Sequence, residues 1–457
     1  MPNNTQKVHF VSLGCPKNRV DSEVMLGQLD SDYELTDNAD GADVIVVNTC
    51  SFIQSATEES IEVILDMAQK KAEASCQKLI VTGCMVQRYG QSLEGELPEV
   101  DFFLGTGEYH RFGEILQVNT RTQRSFVDTP RYIHPGFANR VPSWKSHSAY
   151  LSISEGCNHR CAFCVIPTLR GKYRSRTIPS LVTEAEQLVS QGVKELSLIS
   201  QDSTAYGLDL KDGSDLGQLL RALTPIDGLE WLRLHYAYPI GLSESLLRSI
   251  AEEEKVCSYI DIPLQHASGN MLRRMRRGVT QAGQERILNR IHTFIPDATI
   301  RTTFMVGFPG ETQDDFNVLK DFIEAQRFDR VTVFTYSQED GTEATTMEQQ
   351  IEDHIKMERQ TEIVSLQTDI CREKNEAYIG KVVPILVDGV SEDHEWVQVG
   401  RMQTQAPEVD GQVYIDNSDL TTIEPGDFIQ VQITQATELD LAGVIVSELT
   451  DENDLDT

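Results

Sequence analysis

Residues 155–167, EGCNHRCAFCVIP, place Cys157, Cys161 and Cys164 in one short loop at spacings of four and three. A disulfide framework belongs to oxidising compartments, to short secreted chains and to even cysteine counts. This chain has 457 residues and nine cysteines, and its opening MPNNTQKVHF lacks the apolar core of a signal peptide. No run of about 18 apolar residues offers a membrane span. The expected setting is therefore the reducing cytoplasm, where grouped thiols bind metal or carry redox chemistry. Zinc is one such reading, but a tetrahedral ion asks for a fourth protein ligand. No second C-x-x-C or H-x-H pair follows Cys164, and His159 would have to fold back to serve. A cluster of four irons and four sulfides on three thiolates is the other reading, and it leaves one iron open to a ligand.

Spacing and neighbours of this loop resemble the radical S-adenosylmethionine (SAM) superfamily, in which C-x₃-C-x₂-C holds such a cluster. The resemblance implies that the open iron chelates the amino and carboxylate groups of SAM. It also implies that Phe163 is the aromatic usual before the last cysteine.

The length exceeds what one hydrophobic core organises, so two or three domains are expected. Forty basic against 71 acidic residues give a net charge of −31. Such a surface repels nucleic acid and favours a basic partner or a salty cytoplasm. The excess is uneven: from Tyr378 to Thr457 there are 2 basic residues, Lys381 and Arg401, against 17 acidic, or −15.

The first segment, 1–128, alternates short β-branched runs with helical patterns. KVHFVSLGC, ADVIVVNTC and KLIVTGC read as strands separated by helices, which implies a parallel sheet with crossovers. Cys15, Cys50 and Cys84 each lie at the carboxyl end of one of these strands, where ligand sites of open α/β sheets gather. A second three-cysteine iron–sulfur site is expected there. Cys76 precedes its strand and is expected at the opposite end. A proline-rich stretch at 129–146 reads as a linker. Residues 147–377 again alternate, with six strands (AYLSISEG, ELSLISQD, WLRLHY, SYIDIPLQ, TIRTTFMVGF and RVTVFTY) and intervening helices. Such units suggest a partial (β/α)6 barrel with its chemistry in the loops after the strands. A long helical pattern from Thr346 ends at Gly380 and carries Cys371, expected to pack. Short strands with Gly and Pro turns over 378–449 predict a small all-β barrel, and 450–457 an acidic disordered tail.

Taken in this order, the parts resemble the radical SAM methylthiotransferase family: a three-cysteine α/β domain, a radical SAM barrel and a C-terminal TRAM barrel. SLGCPKNRVDSE, NTCSFI and VTGCMVQRYG resemble its auxiliary-cluster motifs, and GCNHRCAFCVIPTLRGKYRSR its radical SAM loop. IPLQHASGNMLRRM resembles the loop of the ribosomal-protein branch, RimO, rather than the PVQSGS-like loop of branches acting on transfer RNA. The resemblance implies methylthiolation of the β-carbon of an aspartate in ribosomal protein S-twelve, with transfer-RNA adenosine as the alternative substrate. It implies two [4Fe-4S] clusters, on Cys157, Cys161 and Cys164 and on Cys15, Cys50 and Cys84. SAM would serve as radical source and methyl donor, a sulfide or persulfide would supply sulfur, and a flavodoxin or ferredoxin would supply electrons. Attack on an unactivated carbon requires a radical, because side-chain bases do not remove that hydrogen as a proton. Ser200, Gln201 and Asp202 end the second barrel strand and are expected at SAM or as loop caps. Gly307 and Gly310 of VGFPGET are expected at SAM or as turn formers. Gln265, His266, Arg170, Arg174 and Arg176 are candidate substrate contacts.

Overall fold

The computed structural model describes residues 5–73, 76–118, 123–134, 136, 140–143, 145–392, 394, 396–416 and 422–446; the acidic tail at 450–457 lies outside them. The amino-terminal domain is a six-stranded parallel sheet. Its strands are β1 (Gln6–Ser12), β2 (Tyr33–Leu35), β3 (Val44–Thr49), β4 (Lys78–Gly83), β5 (Phe102–Leu104) and β6 (Ser125–Phe126), in spatial order 2-1-3-4-5-6. β3, VIVVNT, is buried throughout, as a central parallel strand covered on both faces must be. Three of the six strands are too short to leave a periodic signal in the sequence. Helix α1 (Pro16–Leu26) follows β1 and α2 (Gln54–Glu73) follows β3.

Six parallel strands in consecutive order form the central domain: β7 (Ser148–Ser152), β8 (Glu195–Ile199), β9 (Trp231–Leu234), β10 (Val256–Asp261), β11 (Thr299–Val306) and β12 (Arg330–Thr335). This is the expected partial barrel, open between β7 and β12. The long helix α3 spans Asp353–Glu376, shorter than the pattern from Thr346 suggested. Gln349 takes φ +64° and its carbonyl accepts from the Gly310 amide, so the chain turns before the helix begins. The carboxyl-terminal domain is a closed five-stranded barrel of β13 (Val382–Val390), β14 (Val397–Arg401), β15 (Val413–Asp416), β16 (Phe428–Ala436) and β17 (Leu441–Ile445). Among the described residues no helix is long and apolar enough to cross a membrane.

The three domains are bolted together. Within the stretch expected as a linker, 129–146, Arg140 pairs with Glu23 of α1 at 2.5 Å and with Glu184 at 2.9 Å. The β14–β15 connection, with Met402, Gln405 and Ala406 buried, enters the amino-terminal mouth of the central barrel. Arg401 pairs there with Glu195 and Asp388, each at 2.7 Å. Arg233 donates to the Gln403 carbonyl at 2.7 Å, and Tyr259 to Asp410 at 2.7 Å.

Burial alone would raise the Glu195 pKa, but Arg401 and Arg233 hold it down to about 2, below its ordinary 4.5. Its contribution is therefore complete above about pH 4.5 and lost as pH falls toward 2, on the order of 3 kcal/mol. Hydrogen-exchange protection of residues 402–411 should fall over that interval. Protection unchanged between pH 7 and pH 3 would show that the ion pairs do not hold the plug.

Candidate functional site

Strand order does the first work. β1, β3 and β4 are adjacent, so the residues leaving their carboxyl ends, Cys15, Cys50 and Cys84, emerge side by side. Gly14 lets the first approach the second: at φ +88°, a Cβ on it would lie 2.6 Å from Cys50 Cβ. Ser60 of α2 holds Cys50 by accepting from its amide at 3.2 Å and donating to its carbonyl at 2.8 Å. Across from them, Cys157, Cys161 and Cys164 follow β7. Gly156 takes φ +76°, and a Cβ there would meet the Lys172 carbonyl at 2.3 Å.

All six thiols line a single cavity of about 630 Å³ at the carboxyl ends of both sheets. Each is a free thiol. Burial pushes Cys157 up to about 11 and Cys84 and Cys164 up to about 12, so iron binding there must displace protons. Among the described residues no three His, Cys, Asp or Glu side chains gather closely enough to hold a single metal ion. A four-iron cluster asks instead for thiolates spread over three of its corners, and two triads around one cavity supply such a donor set. The walls between the triads are largely apolar, with Phe52, Ile53, Phe163, Ile166 and Leu169 among them.

Three family models match the chain: "Uncharacterized protein family UPF0004" over residues 7–105, the radical SAM superfamily over 151–323, and a TRAM domain over 379–446. The chain is 47% identical over 443 residues to the ribosomal protein uS12 methylthiotransferase RimO of Pelobacter propionicus, covering 96% of this chain and 98% of that one. The RimO protein of Geobacter sulfurreducens is 45% identical over 450 residues, covering 98% and 100%. The chain belongs to the RimO methylthiotransferase family. The fold is also that of the radical SAM methyltransferase TsrM from Kitasatospora setae, at a TM-score of 0.54 and 16% identity over 74% of this chain and 77% of that one.

Within this RimO-family cavity stand Phe163, Ser200, Gln201, Gln265 and Arg170 of the residues singled out in the sequence. The buried Gln201 Oε1 has no hydrogen-bond partner, a cost of about 1–3 kcal/mol that a ligand donor would recover. Gln265 sits at φ +72°, an unusual conformation for a side-chain-bearing residue and of a kind that clusters at active sites. Asp202 lies outside the cavity wall; it caps a turn, accepts from Thr204 at 2.6 Å and meets His159 Nε2 at 2.7 Å.

The remaining candidates support the site from behind. His266 is fully buried: its Nδ1 accepts from the amides of Ala267 and Ser268, and its Nε2 lies 3.0 Å from Glu311. Glu311 in turn pairs with Arg359 at 2.6 Å and accepts from the Gly307 amide, so His266 pins the VGFPGET turn and does not line the cavity. Gly307 and Gly310, at φ +73° and +79°, pack against Lys356 and Arg274, where Cβ atoms would clash. Arg176 is buried on Glu184 at 2.6 Å, and Arg174 donates to the carbonyls of Tyr132 and Arg170. Arg170 touches the cavity, but its guanidinium is bound to Asp21 and Asn18, each at 2.6 Å.

Sequence reading passed over Tyr236, Tyr238, Lys17 and Arg277, which also line the cavity. Tyr236 shares the left-handed conformation of Gln265, at φ +59°. Arg277 donates to Cys161 Sγ at 3.4 Å and to the Pro263 carbonyl at 2.6 Å; the run RRMRRG was its only sequence signal.

A cationic donor on a cluster thiolate favours the reduced, more negative state. Arg277→Gln should lower the potential of the cluster on that loop by roughly 60 mV, about 1.4 kcal/mol for one electron, in an EPR-monitored redox titration. A potential that stays or rises would dismiss the contact. Cys76, Cys257 and Cys371 are buried away from the cavity, and alanine at each should leave the iron content of the anaerobically reconstituted protein unchanged.

Proposed function

We propose that the chain attaches a methylthio group to the β-carbon of an aspartate of ribosomal protein uS12, in the cytoplasm. The observation that carries this reading is the convergence of two cysteine triads on one cavity, in a chain nearly half identical to RimO proteins along its length. Cys157, Cys161 and Cys164 would hold one [4Fe-4S] cluster with SAM, and Cys15, Cys50 and Cys84 a second that takes up sulfide or persulfide sulfur. When bound, these groups supply an oxidising carbon radical, a sulfur atom and a methyl group.

The chain's own residues do the rest. Apolar walls keep water from the reacting carbon. Gln201 offers an unpaired acceptor to an ammonium or hydroxyl of the bound ligand. Phe163, edge-on to Phe308 with ring centroids 6.4 Å apart, backs the cysteine loop. Gln265 and Tyr236, at the ends of neighbouring strands, crowd the space between the triads and would orient the incoming side chain. Phe52 and Phe334, both lining the cavity and about 40–50% exposed, would rim the path by which a peptide loop enters.

Charge favours a protein over transfer RNA. Phosphate backbones are bound through Lys and Arg, and the TRAM segment has only two. Arg401 is one of them, and it is buried on Glu195 and Asp388, which leaves Lys381 alone against the 13 acidic residues of 378–449. A basic ribosomal protein would be steered in by the same surface, less so as salt rises.

The deciding experiment incubates the anaerobically reconstituted protein with SAM, reductant and sulfide, separately with uS12 and with unmodified transfer RNA. Mass spectrometry should find one methylthio group in place of one hydrogen on a uS12 aspartate; modification of transfer RNA alone would overturn the assignment. Alanine at Cys157, Cys161 and Cys164 should abolish 5′-deoxyadenosine formation and remove about half the iron. Alanine at Cys15, Cys50 and Cys84 should spare that cleavage and abolish sulfur transfer.

A further inference from the structure

One face of this acidic molecule is basic. Residues 155–177 hold five Lys or Arg and 265–278 hold four, against the single acid Glu155. The two segments meet: the Ala162 amide donates to the Met275 carbonyl at 3.1 Å. Arg160, Lys172, Arg273 and Arg276 are exposed, and Arg276 pairs with Glu343 at 2.8 Å.

Beside this patch lies a second cavity of about 500 Å³, lined by His159, Leu208, Tyr238 and Ile240, with Arg276, Asp202 and Asp209 as its charged groups; Asp202 is bound to His159 at 2.7 Å and Asp209 to Ser175 at 2.6 Å. Leu208 is 83% and Ile240 60% exposed. The cavity shares His159 and Tyr238 with the six-thiol cavity. Their rings stack at a centroid distance of 3.8 Å, and the Arg277 guanidinium lies 4.5 Å from the Tyr238 ring centroid. The His159 amide donates to Cys157 Sγ at 3.4 Å. One pair of rings thus stands between the outer surface and the Cys157 loop.

Large aliphatic side chains held in water beside a cavity mark a protein contact. The exposed cations Arg160, Lys172 and Arg273 of the neighbouring segments favour an acidic partner over a basic ribosomal protein. Ribosomal RNA phosphate would use the cations but leave Leu208 and Ile240 without a role. We propose that this face docks an acidic one-electron carrier protein, of the reduced flavin or iron–sulfur class, with Leu208 and Ile240 at the centre of the contact and Arg160 and Arg273 on its rim. The inference rests on the function proposed above, which consumes an electron each time SAM is cleaved. In the step, the carrier loses one electron, the cluster on Cys157, Cys161 and Cys164 gains it, and no bond forms or breaks.

The test uses the full-length reconstituted protein and an acidic flavodoxin as probe. Binding of oxidised flavodoxin is measured by calorimetry at several salt concentrations. SAM cleavage is then driven either by flavodoxin hydroquinone or by dithionite. The R160E/R273E and L208S/I240S double variants should keep their iron, raise the Kd for flavodoxin about tenfold or more, and lose flavodoxin-driven but not dithionite-driven cleavage. Wild-type binding should weaken as salt rises. Unchanged Kd in both variants would overturn the proposal. So would R160E/R273E losing affinity for a small-subunit ribosomal RNA fragment while keeping it for flavodoxin. Failure of the wild type to cleave SAM with dithionite would instead strike the proposed function, and the binding comparison would still decide the docking face.

Discussion

The Arg170 guanidinium, buried between Asp21 and Asn18, is the interaction on which the site depends. A charge out of water is tolerated only when it is paired and hydrogen-bonded, and beside Glu155 of its own domain at 3.7 Å this arginine makes its two short bonds to α1 of the amino-terminal domain. Asn18 also donates to the Leu13 and Thr49 carbonyls, and its Oδ1 lies 3.8 Å from Cys84 Sγ. The same few atoms therefore set the auxiliary cysteines and their position relative to the Cys157 loop. Lys17 repeats the arrangement one residue earlier, at 2.5 Å from Glu155 and 2.7 Å from Ser152.

This explains why α1 is buried though polar. Lys17, Asn18, Asp21, Ser22 and Glu23 of α1 are all buried, and most of them bond across to other elements. A helix that unites domains through ion pairs needs no apolar stripe. The carboxyl-terminal barrel is held by the same logic, with Glu408 accepting both nitrogens of Arg19 and the Tyr150 hydroxyl. Three domains so joined hold the two thiol triads at one separation.

Charge is partitioned by task. Acid dominates the carboxyl-terminal segment, whereas exposed cations gather around the Cys157 loop. Some of these, Arg170, Arg176 and Arg277, are buried structural groups, and their exposed neighbours give the loop's outer face its sign. Net charge alone conceals that division.

The six cysteines, the three domains and their order were legible in the sequence, because ligand spacing and strand period are local properties. Cys15, Cys50 and Cys84 could be placed at strand ends from periodicity, and the parallel order made them neighbours. What tertiary structure alone decided was which polar residues face the cavity and which stand behind it. His266 and Arg176 looked like site residues because their types are chemically active, but buried partners from Glu311 and Glu184 claim them. Arg277 looked like one cation in a run and proved to donate to Cys161 Sγ. The ion pairs of Arg140 and the plug formed by the β14–β15 connection were equally invisible. A side chain's role is set by the partner that satisfies its charge, and that partner stands 8 residues along the chain for Arg176, 45 for His266 and 149 for Arg170.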